Sequence, residues 1–500
     1  MEHLPESNYT EVTCSKSTSG NEFARGIQDF VFSIGAPNVF IPSKSYFRVE
    51  LKIEGVGGAA IPSATEQIAL ADNATASLYD NVYFRAGGQD VSSVTQFAPQ
   101  SSMVKHRTTT PGAWLKSVGR KALLQEPDFQ KRIAYTSSNN THSTLLTGAK
   151  FINLGSDGHY DDGSITVSGA GGHVGTNTSL NRLAVGDAIV VAGIEYVITV
   201  AATNAAGANL ATFPVLAAGV YTTSIQYTGL GKFDTADNTE EKNTIFAIFQ
   251  PPVGIFQHPH AMGSADYRFS LNPNSDFETS MVQTARSLGL SPTNFKLTIN
   301  GVRLYIATAK LSIPDTIDTL DLMEIQCQNK TADSTNNVLQ FTVPPSTEML
   351  HFFVQSSDSG KNTKVPPTSF ITKDGSQNNL TNIQVTYANT TKPSTRFASR
   401  YNAAGGINEL QQRYIESLHE TGMYNCVGGC ESFKEFLQRG VMISYQFHRD
   451  KANLSTQVQL QMDFSSIEAN AKVFLAATYR KSTKITTKGG IVVNVESLMM

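Results

Sequence analysis

The residues that could do chemistry are few and scattered. His258 and His260 flank Pro259 in an HPH triplet. Two imidazoles that close could share a metal ion, but a zinc site needs further ligands and hydrogen-bonded outer partners. Following the stretch QPPVGIF, the triplet reads as a turn. Cys426 and Cys430 bracket CVGGC. The three-residue spacing is neither that of a redox motif nor that of a zinc ribbon, and no second Cys/His pair lies nearby, so both read as structural thiols. The loop DGHYDDG (157–163) offers three aspartates and a histidine without the ligand order of a calcium-binding loop, and it reads as solvated. GLGK (229–232) lacks the rest of a phosphate-binding loop. No serine-nucleophile elbow occurs. Seven cations, Lys105, Arg107, Lys116, Arg120, Lys121, Lys131 and Arg132, crowd one stretch that also carries Glu126 and Asp128. They could face nucleic acid or an acidic neighbour, but they read first as a solvated helical face and second as a contact with a neighbouring subunit assembly. No catalytic, cofactor-binding or metal-binding residue is assigned.

The elements that would have to position a site are mostly strands. In SYFRVELKIEG (45–55), Phe47, Val49, Leu51 and Ile53 alternate with Arg48, Glu50, Lys52 and Glu54. Successive side chains of a strand point to opposite faces, so this one has an apolar face and a charged face. Similar runs recur at 28–34, 78–94, 243–257, 265–274, 295–311, 338–355, 382–388, 440–450, 456–464, 471–481 and 489–498. Residues 100–135 are richer in Lys, Arg, Leu and Ala and hold one or two short helices, with Pro111 as a first-turn residue. Ile407, Leu410, Tyr414 and Leu418 fall at helical spacing.

Totals narrow the function. Net charge is −3, which argues against a surface gripping phosphates through many cations. The four cysteines are too few for a disulfide scaffold and fit a reducing compartment. Residues 1–22 read as a polar arm, ordered against a neighbour, and not as a signal peptide. No apolar stretch of about 20 residues, the length that spans a membrane, occurs. Composition shifts at about 140–240, where Gly, Ala, Thr and Asn dominate and charge is scarce. Short runs at Ala188–Val191, Tyr196–Val200 and Ala211–Val215, separated by glycine turns, predict a small β-rich domain inserted into a loop.

Two halves of the chain follow one programme. DFVFSIGAPNVFIPSKSYFRVELKI is echoed by VLQFTVPPSTEMLHFFVQ, LYDNVYFRAGG by LTNIQVTYANT, VGIFQHPHAMGSADYRFSLNPNSDF by VMISYQFHRDKANLSTQVQLQMDF, and RLYIATAKL by KVFLAATYRK. A helical stretch follows the second segment in each half. The shared order predicts an all-β chain of two tandem eight-stranded jelly-roll sandwiches, with short helices in loops and an inserted small β domain in the first. The expected boundaries are an arm at 1–22, a first jelly roll at 23–312 carrying the insert at about 140–240, a connector at 313–336, and a second jelly roll at 337–500.

This arrangement resembles the double jelly-roll major capsid proteins of double-stranded DNA viruses. FIPSKSYFRVELKI, FQPPVGIFQHPHAMGSADYRFSLNPNS and GVRLYIATAKL resemble segments of those from virophages and polinton-like viruses. The resemblance covers most of 25–312 and, more loosely, 337–498. It implies a structural protein of the virion, assembled inside the host cell. Three copies would form a pseudo-hexameric capsomer that tiles an icosahedral shell around double-stranded DNA. It further implies contacts with neighbouring capsomers, a separate penton protein and minor or cement proteins. The insert would face outward as a tower available for host contact. No cofactor, no sequence-specific nucleic-acid binding and no transmembrane segment are expected.

Two other classes of function remain open on the sequence. A β-sandwich adhesin or lectin would carry a signal peptide or anchor. A jelly-roll enzyme would need a His/His/Glu metal cluster or two facing carboxylates, and the strands carry few histidines.

Overall fold

The computed structural model describes residues 7–55, 68–116, 119, 123–124, 244–284, 295–310, 317–332, 335–361, 365–372, 375–396, 398–402, 407–447, 456–488 and 491–498, with five short strand segments between 164 and 222. Eight strands build the first sandwich: β1 (Asn8–Val12), β2 (Gln28–Ser33), β3 (Asn38–Gly55), β4 (Tyr79–Ala86), β5 (Gln89–Val94), β6 (Thr244–Phe249), β7 (Asp266–Pro273) and β8 (Phe295–Lys310). They form two antiparallel four-stranded sheets, in the orders β1-β8-β3-β6 and β2-β7-β4-β5. The alternation in β3 decides its facing. Phe47, Val49 and Leu51 are fully buried, while Arg48, Glu50 and Lys52 stay at the surface.

The second sandwich repeats this plan strand for strand. It comprises β9 (Ile317–Thr331), β10 (Asn336–Thr342), β11 (Thr347–Gln355), β12 (Leu380–Tyr387), β13 (Thr390–Lys392), β14 (Met442–Gln446), β15 (Gln457–Phe464) and β16 (Lys472–Lys488). Its sheets run β9-β16-β11-β14 and β10-β15-β12-β13, so each strand of the first sandwich has a counterpart eight labels later. A final strand, β17 (Ile491–Leu498), adds to the end of β16. Sheet orders in which the first strand pairs with the last are those of a jelly roll, and the chain holds two of them in tandem.

The matched topology corrects two expected boundaries. Asn8–Val12 does not wait on a neighbour for its order: it pairs with β8 of its own sandwich, from Asn8↔Thr308 to Val12↔Leu304. Nor is 313–336 a connector. Ile317–Thr331 pairs along its whole length with β16, so the second sandwich begins there. Both segments look polar because they are edge strands: Asn8–Val12 is exposed along nearly its whole length, and Ile317–Thr331 buries only part of its side chains. Each is the first strand of its sandwich. The third sequence echo also shifts register: the counterpart of VMISYQF is TIFAIFQ in β6, not VGIFQHPH.

Helices follow the second sheet strands as expected. α1 (Ala98–Thr109) and α2 (Gly112–Lys116) flank Pro111, and α3 (Phe277–Met281) follows β7. In the second sandwich come α4 (Leu410–Glu420) and α5 (Phe433–Arg439). Ser432 caps α5 in a reciprocal box with Glu435, which satisfies two otherwise orphaned amides. Of the insert, the hairpin Ala188–Val191/Ile194–Val197 and a sheet of Ser164–Val167, Val174–Gly175 and Gly219–Thr222 are described. Ala211–Val215 lies outside the described residues.

Each sandwich has its own core. The first is aromatic, with Phe30, Phe40, Phe47, Phe84 and Phe269 fully buried and Phe84–Phe269 centroids 4.7 Å apart. Leu320 and Leu322 of β9 and Ile485 of β16 also belong to this first core, so the second sandwich reaches across the boundary. The second core gathers Phe341, Phe352, Tyr387, Tyr445 and Leu460.

Candidate assembly interface

The seam between the sandwiches starts from α1. Between β5 and β6 of the first sandwich, this helix turns its apolar side chains onto the outer face of the second sandwich. Phe97, Met103, Val104 and Leu124 pack against Cys327, Phe353, Met442, Phe474 and Ala476, with Phe370 beside them. Phe353 stacks on Phe370 at 3.7 Å and on Phe474 at 5.1 Å. Gln100 donates to Gln355 across the same junction at 3.1 Å.

A buried charge network ties the two halves at one end of this face. Arg439, at the end of α5, donates to Asp72 at 2.9 Å, and Arg107 of α1 donates to Glu431 at 2.9 Å. All four side chains are at most 8% exposed. Arg107 also donates to the Gly440 carbonyl at 2.8 Å and lies over the Phe370 and Phe436 rings. Gly440 also lets the Phe370 backbone come close: its φ is +98°, and a Cβ there would fall 1.6 Å from the Phe370 carbonyl oxygen. The CVGGC loop closes the seam as a backbone clamp. Gly112 and Ala113 donate to the carbonyls of Gly429 and Gly428, both at 3.0 Å.

A second polar cluster lies further along. Ser92 of β5 donates to Glu324 of β9 at 2.5 Å, and the Gly254 amide donates to its other oxygen. Lys481 donates to the Val91 carbonyl at 2.9 Å. Burial pushes the Glu324 carboxyl up to about 7, against the pull of Ser92, Gly254 and the lysines Lys481 and Lys105.

The outer face of the first sandwich is built on the same plan and stands open. Tyr305 pairs with Tyr46 across β8 and β3 as Phe474 pairs with Phe353 across β16 and β11. The tyrosine rings stack at 5.3 Å, and Tyr9 joins them at 6.0 Å. Phe246 and Ile248 on β6 are 49% and 39% exposed on this face, with Arg48 lying over the Phe246 ring at 4.5 Å. Tyr305 donates to Glu11 at 2.7 Å.

The helix that matches α1 is open as well. α4 packs Leu410 and Tyr414 into its own sandwich, while Gln411, Gln412 and His419 face solvent. In the loop beyond it, Tyr424 stacks on His419 at 3.9 Å, and Val427 is 93% exposed.

The candidates read from sequence fall into place around these surfaces. Lys105 and Arg107 do not sit on a solvated helical face; Arg107 is buried in the seam and paired. Sequence showed the cations but not the Glu431 that meets Arg107 from 324 residues away. The Lys116 side chain and Arg120, Lys121, Lys131 and Arg132 lie outside the described residues, as do 157–163 and 229–232. His258 accepts its place in a turn, donating its amide to Ile255 at 3.1 Å. Burial and neighbouring His260 lower its imidazole to about 4. Among the described residues no three His, Cys, Asp or Glu side chains cluster as metal ligands, and no helix is long and apolar enough to cross a membrane.

No protein-family model and no curated protein matches the sequence. Solved structures do. A chain of the Sputnik virophage, solved by cryo-electron microscopy, superposes with a TM-score of 0.54 at 11% identity over 99% of this chain and 88% of that one. The mavirus major capsid protein gives 0.46 at 13% identity over 98% and 90%, and the Faustovirus major capsid protein 0.47 at 8% over 98% and 92%. The first of these likenesses bears out the tandem jelly-roll fold.

Proposed function

We propose that this chain is the structural subunit of a viral capsid shell, a major capsid protein that self-assembles as a ring of three copies. The observation that carries the proposal is the difference in cover between two matched faces. Within the chain, α1 of the first sandwich covers the outer sheet of the second. The matching sheet of the first sandwich leaves Phe246 and Ile248 exposed and Tyr46 and Tyr305 only half-buried, where Phe353 and Phe474 of the second are sealed. The matching helix of the second, α4, faces solvent. Placing α4 of one copy on the open sheet of the next repeats the internal junction between copies. A head-to-tail contact of this kind closes into a ring when its rotation allows. Two sandwiches per copy then give six lobes from three chains. Tyrosines in place of the phenylalanines suit a face that meets water before it meets its partner.

On this reading the role is structural and not catalytic, and the protein resides in the virion. The rings tile an icosahedral shell around double-stranded DNA, with a separate penton protein at the vertices and minor proteins between capsomers. The insert at about 140–240 faces outward, where it can meet the host surface, and assembly takes place inside the host cell. Electron micrographs of the purified protein test the ring directly. Six-lobed particles with three-fold symmetry support it, and isolated two-lobed particles at all concentrations contradict it.

A further inference from the structure

The two sandwiches differ at one place that capsid assembly does not account for. In the second, α4 lies directly on β14 and its Tyr414 fills the space with Phe433 and Phe436. In the first, α1 packs on β4, β9 and the short helix Ala74–Leu78. The space between α1 and β6 is left as a cavity of about 520 Å³. That volume is in the range of small-molecule sites, roughly 300–1,000 Å³.

Its lining has a definite chemistry. Tyr46, Trp114, Ile248, Phe249, Pro251 and Val82 supply apolar and aromatic walls. Lys105 and His106 enter from α1, and no aspartate or glutamate lines the cavity among the described residues. No described residue accepts a hydrogen bond from the Lys105 ammonium. The carboxylate that influences it electrically, Glu324, spends its oxygens on Ser92 and Gly254. Burial lowers the Lys105 ammonium to about 8, so its charge is held at a cost that an anion would offset. His106 is engaged with Thr110 at 3.2 Å and stacks on Trp114 at 5.8 Å.

We propose that this cavity is a binding site for a small amphipathic carboxylate, with its anionic head on Lys105 and its apolar body between Trp114, Tyr46 and Phe249. A half-buried cation with no acceptor among the described residues, in a cavity of mixed polar and aromatic walls that holds no described acid, recognises that combination of charge and oil. The site goes beyond the capsid reading, although two of its walls, Tyr46 and Ile248, also belong to the sheet proposed to meet the next copy.

Trp114 is the only tryptophan in the chain, so its fluorescence reports occupancy. The purified full-length protein is titrated with 4-phenylbutyrate and, separately, with the uncharged 4-phenylbutan-1-ol. The expected result is a saturable change in Trp114 emission with the acid, and binding of the alcohol weaker by about tenfold or more, the worth of a charge-assisted hydrogen bond. Lys105→Met is expected to weaken the acid to the level of the alcohol while leaving the alcohol unchanged. No saturable response to the acid overturns the proposal, and so does equal binding of acid and alcohol. The ligand pair decides the matter even if the variant does not fold.

Discussion

Phe353 and Phe474 stack 5.1 Å apart with 6° between their planes, sealed beneath a helix from the other sandwich. At the matched register of the first sandwich Tyr46 and Tyr305 stack 5.3 Å apart on an open face. One geometry thus occurs twice in the chain, once sealed and once half-exposed, and that difference separates stability from assembly.

Substitutions on the two faces therefore have different consequences. Phe353→Ala empties a packed site, and about 3–5 kcal/mol of stability is expected to go. Phe246→Glu with Ile248→Glu alters only exposed side chains, and the melting temperature is expected to stay within a degree or two of the parent while self-association is lost. Thermal melts and sedimentation of both variants check this. A large drop in melting temperature for the β6 pair would place those residues in the fold and not at a contact.

The buried network at the seam gives a second expectation. Arg439→Met takes the buried cation away from Asp72 and leaves Glu431 to Arg107, and breaking a buried ion pair from one side costs about 3–5 kcal/mol. Replacing both partners, Asp72→Asn with Arg439→Met, is expected to recover much of that loss, because the buried carboxylate goes together with its cation. Denaturant unfolding of the single and double variants provides the cycle.

Backbone geometry supplies a third. Gly440→Ala would set a Cβ 1.6 Å from the Phe370 carbonyl oxygen at a φ of +98°. No side-chain rotation relieves a clash with backbone. The expected outcome is loss of soluble protein, or a destabilisation above about 3 kcal/mol, larger than the ordinary core substitution. Gly375→Ala, at a φ of +77° with open space around it, is expected to cost about 1 kcal/mol. Unfolding curves of the two variants measure the contrast.

Two buried groups pull the pH dependence in opposite directions. Burial lowers His351 to about 3, with Ser444 and Thr478 on its ring nitrogens. Its native form binds fewer protons than the unfolded one, so stability present above about 6.5 is lost as pH falls towards 3. Glu324, raised to about 7, behaves conversely: the native state holds its proton more tightly, and stability rises as pH falls from above 7 towards about 4.5. Between pH 8 and 5.5, Glu324→Gln is expected to lose ground to the parent by about 2 kcal/mol, and His351→Gln to gain on it by about 1 to 2 kcal/mol. Denaturant midpoints at the two pH values check both signs.

Much of the fold was legible because the alternation of Phe47, Val49 and Leu51, and its echoes, report directly on which faces are buried. The tandem plan followed from that pattern, and the helices from the composition of 100–135 and the helical spacing of Ile407, Leu410, Tyr414 and Leu418. Edge strands were not legible. Asn8–Val12 and Ile317–Thr331 bury one face or less and carry many polar residues, so they passed for an arm and a connector. The seam was hidden for a different reason. Arg107 meets Glu431, and Arg439 meets Asp72, across separations of 324 and 367 residues. Local composition around 105–132 suggested solvent because nothing local shows a distant acid. The open face on the first sandwich has no mark in the local sequence, because its meaning lies in the matched register of Tyr46–Tyr305 and Phe353–Phe474.

The most direct test of the central claim is the mass of the purified chain in solution by light scattering. The account predicts a particle of three copies of the 54.1 kDa chain, stable on dilution, and a single copy for Phe246→Glu with Ile248→Glu. A parent protein that remains one copy at every concentration, with its Tyr46–Tyr305 face uncovered, would contradict it.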